Sequence, residues 1–206
     1  MTVKTKVSIL STLLIFMVGF FAIPVSASSS FASPLQFFNS VPAKNYDVSK
    51  HGNSPSVLYL GNVLALQIEK QPAGNYNYVT SLQNFLTEFQ AASNYGTIGL
   101  LAHNYLAGQY FFQISQGQEI ELVYNDNRSE KFVVTKIAKY QALSPNSPSS
   151  DFIDLVTGDQ LTASQLFKKM YRNQSGNLVL QTCIYQDGNP AWGRLFIIAE
   201  PVAKNR

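Results

Sequence analysis

Cys183 is the only cysteine in a chain of 206 residues, and Arg194 follows it eleven positions later. A thiol becomes a nucleophile once deprotonated, and a cation beside it favours the thiolate. Apolar runs flank the pair. Leu178-Val179-Leu180 leads to the thiol, and Leu195-Phe196-Ile197-Ile198-Ala199 follows the guanidinium. Between them lie the turn-rich segment Gln186-Asp187-Gly188-Asn189-Pro190 and Trp192, the only tryptophan. The pattern predicts strand, loop, strand, with the thiol ending one strand and the guanidinium starting the next. Pairing of those strands brings Cys183 and Arg194 together at the mouth of a sizeable loop.

Acyl transfer by a cysteine also needs a general base. Of the two histidines, His103 follows the apolar run Ile98-Gly99-Leu100-Leu101-Ala102 and precedes polar Asn104. That is the place from which a strand-end side chain reaches a site. His51, in Lys50-His51-Gly52-Asn53, reads as part of a solvated turn. Taken singly, each residue has a plainer reading: Cys183 as a small buried hydrophobe, His103 as a structural residue bonded to backbone.

The elements that must position these residues are mostly strands. Composition is 46% hydrophobic with 14 Phe and 11 Tyr, which suits one domain with a real core and a β-rich chain. Alternating apolar residues predict a hairpin over residues 57–68, turning near Gly61-Asn62. Further strands are expected at 97–102, 119–124 and 132–140. Spacing of three and four between Val79, Leu82, Phe85, Leu86 and Phe89 predicts an amphipathic helix over 79–91. A short turn or helix is expected over 106–114. Residues 142–177 form a long excursion, with a Ser/Pro-rich loop, then a helix over 161–171. An interruption of that length between strands is often functional. Asp151, Asp154 and Asp159 in it lack the EF-hand spacing and read as turn or capping residues.

The N-terminus reads as an export signal. Lys4 and Lys6 precede an apolar stretch over 9–23, and Pro24-Val25-Ser26-Ala27 offers small residues for cleavage. The expected division is a signal peptide over 1–27, a Ser/Asn/Pro-rich lead-in over 28–56, and one domain over 57–206. An uncleaved membrane anchor is the alternative, although the stretch is short for a span. Net charge is +3, falling to +1 without Lys4 and Lys6, too little for nucleic acid as the main partner. There is no phosphate-binding glycine loop, zinc cluster or Gly-x-Ser-x-Gly elbow, so neither metal nor cofactor is expected.

The order His103, Cys183, Arg194 resembles that of the sortases, bacterial cysteine transpeptidases. Val179-Leu180-Gln181-Thr182-Cys183 is similar to that family's Thr-Leu-x-Thr-Cys motif, with valine in place of the first threonine. Leu101-Ala102-His103-Asn104 falls where the family has its histidine, and Arg194-Leu195-Phe196-Ile197-Ile198-Ala199-Glu200 resembles its closing strand. The resemblance covers roughly residues 57–201. It implies an all-β fold, a closed eight-stranded β-barrel with short helices in the connections. It implies Cys183 as nucleophile, His103 as acid and base, and Arg194 as oxyanion or backbone partner, with Thr182 and Trp192 in the substrate groove. The implied partners are a peptide or protein with a sorting-type motif and an amine acceptor, met outside the cytoplasm. The membrane is a partner only if the N-terminal segment stays uncleaved. Two other readings stand beside this one: an exported cysteine peptidase, and a catalytically silent β-domain that binds a partner through its aromatic residues.

Overall fold

A computed structural model describes residues 54–61 and 64–203. The expected signal segment, nearly all of the lead-in, and His51 lie outside them. The first alternating run forms β1 (Pro55–Leu60) and β2 (Leu64–Lys70), an antiparallel hairpin in which Leu60 faces Leu64. Gly61 at its turn takes φ +61°, a left-handed conformation that costs glycine little.

The remaining elements follow in order: β3 (Phe85–Glu88), α1 (Gln90–Ser93), β4 (Ile98–Ala102), a 3-10 helix (Ala107–Gln113), β5 (Glu119–Tyr124) and β6 (Ser129–Ala142). Two short strands, β7 (Phe152–Asp154) and β8 (Gln160–Leu161), lead to α2 (Ala163–Phe167) and a π-helical turn (Lys168–Arg172). The chain then forms β9 (Leu178–Gln186) and β10 (Asn189–Pro201). Strand order is β10-β9-β4-β3-β2-β1-β5-β6, and β6 pairs back onto β10. This closes an eight-stranded barrel, with β7 and β8 continuing outward from β6. A barrel of eight strands is just wide enough for side chains to fill its interior. Leu58, Leu66, Leu100, Ile120, Leu180 and Ile197 do so here.

A second core lies on the outer face of β6, β9 and β10. Tyr140, Val179, Phe196 and Ile198 pack there against Leu166, Met170 and Tyr171 of the 142–177 excursion. Leu178, Val179 and Leu180 are all fully buried, because the interior takes the first and third and the outer core takes the second. Burial on both faces makes a strand continuously apolar rather than alternating. Thr162 starts α2 with a capping box: its Oγ1 accepts from the Gln165 amide at 3.2 Å, and Gln165 Oε1 accepts from the Thr162 amide at 2.8 Å.

The helix predicted over 79–91 does not form. Phe85–Glu88 is β3, pairing parallel with β2 and antiparallel with β4, and only Gln90–Ser93 is helical. Asn84 takes φ +62° just before the strand, and Leu82, on the predicted apolar face, is exposed. The Thr80 amide donates to Thr87 Oγ1 at 2.8 Å, folding the segment back on itself. Without β3 the barrel would stay open between β2 and β4, so ladder pairing outweighs the local helical period.

Candidate active site

β9 lies between β4, parallel to it, and β10, antiparallel to it. On one side the register sets Leu101 against Gln181 and Ala102 against Thr182. β4 ends there, and His103 is the next residue. On the other side Arg194 is paired with Cys183. Residues directly opposite in an antiparallel pair share a face, with Cβ atoms about 5 Å apart. Alternation puts Cys183 on the outer face of β9 with Val179 and Gln181, and Arg194 on the same face of β10 with Phe196 and Ile198.

The expected strand–loop–strand arrangement is corrected in one respect. β9 does not stop at the thiol but runs on to Gln186, and β10 starts at Asn189, five residues before the guanidinium. The loop is only Asp187-Gly188, both at positive φ (+52° and +78°), as a tight hairpin requires. The extra residues form a bulge instead. Asn189 pairs with Gln186 and Gly193 with Ile184, so Pro190, Ala191 and Trp192 oppose Tyr185 alone.

Side chains of the site hold this bulge. Arg194 Nη1 donates to Ala191 O at 3.0 Å and Gly193 O at 2.9 Å. Asn104, just after His103, donates from Nδ2 to Pro190 O at 2.9 Å. Asn189 Oδ1 accepts from the Ala191 amide at 2.9 Å. Gly193 rejoins the ladder where any side chain would collide, since a Cβ there would lie 2.5 Å from Tyr140 O.

The His103 segment is fixed from below. Its carbonyl accepts from the Leu106 and Gly108 amides, each at 3.0 Å. Thr182 is buried, and its hydroxyl donates to Ala102 O at 2.8 Å. Gly108 packs so closely on Thr182 Oγ1 and His103 O that a Cβ would overlap both. The His103 ring stacks on exposed Tyr105, centroids 5.1 Å apart and planes 20° apart.

His103, Cys183 and Arg194, all half-buried, line one groove of about 370 Å³. Its walls are largely aromatic and aliphatic, with Phe89, Phe152, Leu166, Phe167 and Phe196 among them. Arg194 is the only permanently charged side chain among the described residues lining it. Its guanidinium carbon lies 6.0 Å from the centre of the Phe152 ring. Thr182 borders the groove with its hydroxyl already engaged, whereas Trp192 sits half-buried in the bulge and is not among the described lining residues.

The floor of the 142–177 excursion is pinned by Asp154. Its carboxylate accepts from the Val156 amide at 3.0 Å and pairs with Lys169 Nζ at 3.2 Å, the turn role expected from sequence. Burial alone would raise its pKa. The Val156 and Thr157 amides and the Lys169 ammonium outweigh that and hold it below the usual carboxylate range. Sequence reasoning passed over Gly108, Gly193 and the Asn104–Pro190 bond. Each depends on a register or close approach between residues far apart in the chain, for which no local pattern exists.

No family model matches this sequence, and no curated protein does. Among solved structures, the chain is similar to sortase C from Clostridium perfringens SM101, with 13% identity, TM-score 0.44, and 75% of this chain covering 72% of that one. It is also similar to sortase A of Listeria monocytogenes, with 12% identity, TM-score 0.44, and 73% of this chain over 88% of that one. A lid mutant of sortase A from Corynebacterium diphtheriae gives 12% identity, TM-score 0.46, and 76% over 75%.

Proposed function

We propose that this chain is an exported, sortase-like cysteine transpeptidase that cleaves a sorting-type peptide and transfers its acyl part to an amine. The observation that carries this reading is the register: Arg194 paired with Cys183 on one side, and His103 directly beyond the end of the parallel neighbour on the other, all lining one groove. Cys183 attacks a peptide carbonyl as the thiolate, forming a C–S bond. The tetrahedral oxyanion is met by Arg194, whose fixed charge suits that role. The C–N bond then breaks, His103 gives its proton to the leaving amine, and a thioester remains. An incoming amine adds to the thioester and loses a proton to His103. The new C–N bond forms as the thiolate departs.

The test is mass spectrometry of the protein after incubation with sorting-type peptides. A covalent adduct at Cys183 equal to the acyl fragment supports the reading. Cleaved peptide with Cys183→Ala protein would remove Cys183 from the chemistry. Export is tested separately: N-terminal sequencing of the exported protein should begin at Ser28, whereas intact Met1 in the membrane fraction favours an anchor.

A further inference from the structure

Gln181 precedes Cys183 by two positions, lies on the same outer face of β9, and lines the same groove. Around it the groove is formed by Leu101, Phe89, Phe167 and Phe196, which offer no hydrogen-bonding side-chain group. The Tyr171 hydroxyl donates to Gln181 Oε1 at 2.5 Å. Tyr171 is itself rigidly set. Its ring packs edge-on against Phe89 at 5.1 Å and Phe196 at 6.1 Å, and its carbonyl accepts from Thr97 Oγ1 at 2.7 Å. Burial pushes the phenol's pKa well up, so it stays neutral and remains a donor. With Oε1 occupied, the plane of the carboxamide is fixed. Its Nε2, with two N–H donors, has no hydrogen-bond partner among the described residues, and Gln181 lines the groove.

We propose that Gln181 is a substrate-binding residue whose Nε2 donates to an oxygen acceptor of the peptide held beside Cys183. The acceptor is a carbonyl or hydroxyl oxygen, from a peptide side chain or from its backbone. Apolar pockets take their orientation from a few well-placed polar groups. A donor fixed in such a wall penalises any ligand that covers it without offering an acceptor. This inference rests on the reading of the groove as a peptide site, but its test needs no turnover.

The test uses the full-length chain carrying Cys183→Ala and a library of labelled N-acetyl pentapeptide amides, each position varied in turn. Binding is compared with and without Gln181→Glu, which keeps the side-chain length and an oxygen for Tyr171 but removes both N–H donors. Loss of one good hydrogen bond weakens binding by about tenfold. A loss confined to peptides with an oxygen at one position assigns the acceptor to a side chain. A uniform loss assigns it to the backbone. Gln181→Leu should weaken the same peptides; it also leaves the buried Tyr171 hydroxyl without its acceptor, so a lower melting temperature is expected, and a single cooperative transition shows that the barrel is intact. Unchanged affinities across the library, or no binding by any peptide, overturn the inference. If the peptides bind as expected but the protein with Cys183 intact forms no thioester, the transpeptidase reading falls and the role of Gln181 stands.

Discussion

Arg194 faces Cys183 because the hairpin between them carries two residues more than a regular ladder needs. Asn189 pairs with Gln186, and an unbroken ladder from there would set Trp192 against the thiol. The bulge moves the register by two, so the guanidinium takes that position. A shift of two also preserves which face each side chain occupies. The same guanidinium then donates to two carbonyls of the bulge that placed it.

Arg194→Lys should therefore lose more than a change of shape. The guanidinium holds two bulge carbonyls through Nη1, and on the proposed function its Nε and Nη2 meet the oxyanion. A lysine ammonium is a point charge without that planar fork. Turnover should fall at least roughly tenfold, about 1.4 kcal/mol of transition-state stabilisation. Steady-state kinetics on a cleavable peptide measures it, and near-normal turnover would reduce Arg194 to general charge.

Asn104→Ala should lower kcat with little change in KM. The bond from Asn104 to Pro190 O ties the His103 segment to the bulge, spanning the cysteine strand, without lining the groove. Its loss should cost roughly 1 kcal/mol, or about fivefold in rate. A rise in KM alone would show that the residue serves binding and not alignment.

Gly193→Ala is expected to destabilise the fold by about 2 kcal/mol, since the new methyl meets the Tyr140 carbonyl, a backbone atom that cannot rotate away. Chemical denaturation reads this directly. Stability equal to the parent chain would mean that the bulge can shift to admit a side chain.

Asp154 makes stability depend on acid. Its folded pKa lies below its unfolded value, so its contribution is present at neutral pH and is lost as pH falls through the folded value. Partly exposed Lys169 limits the pair to about 1 kcal/mol. Unfolding by urea across pH 7 to about pH 2 should show a shallower decline for Asp154→Asn than for the parent chain. Parallel profiles would place the acid sensitivity elsewhere.

Transfer should exceed hydrolysis when an amine is supplied. On the proposed function the thioester would lie in a groove walled by Phe89, Phe152, Phe167 and Phe196, and an acyl peptide packed on those rings would displace water from around it. Product analysis with and without amine should show the adduct dominating. Cys183→Ala should abolish both products and His103→Ala nearly so. Free acid alone with every amine would mean a peptidase.

Much of this was legible in the sequence because it is local. The run 98–102 followed by His103, the hairpin at Gly61, and the apolar stretches around Cys183 and Arg194 all carry their own periodicity. β3 was misread because Val79, Leu82, Phe85 and Phe89 fit a helical period, while the demand that overrides it comes from partners in β2 and β4. The bulge was invisible for a related reason. Pro190, Ala191 and Trp192 read as loop, and only the pairing on both sides of them reveals a continuous strand. Thr182 lines the groove, as its place in the motif suggests, but the bond from its hydroxyl to the Ala102 carbonyl, eighty residues away, has no local signal.

Closure of the barrel by β6 and β10 also sets a timetable. The ladder partners of β9 are β4, some eighty residues earlier, and β10, the last strand among the described residues, which must find both β9 and β6. Such distant pairings come late, because each must first overcome the entropy of a long loop. While the chain is being synthesised, the thiol emerges before the strand that carries its cation. Until the last strand docks, Cys183 sits on an unpaired edge, beside neither the guanidinium nor a finished groove. Docking of β10 is thus the step that brings Arg194 beside Cys183, and on the proposed function a chain cut short before β10 would keep the thiol without its guanidinium.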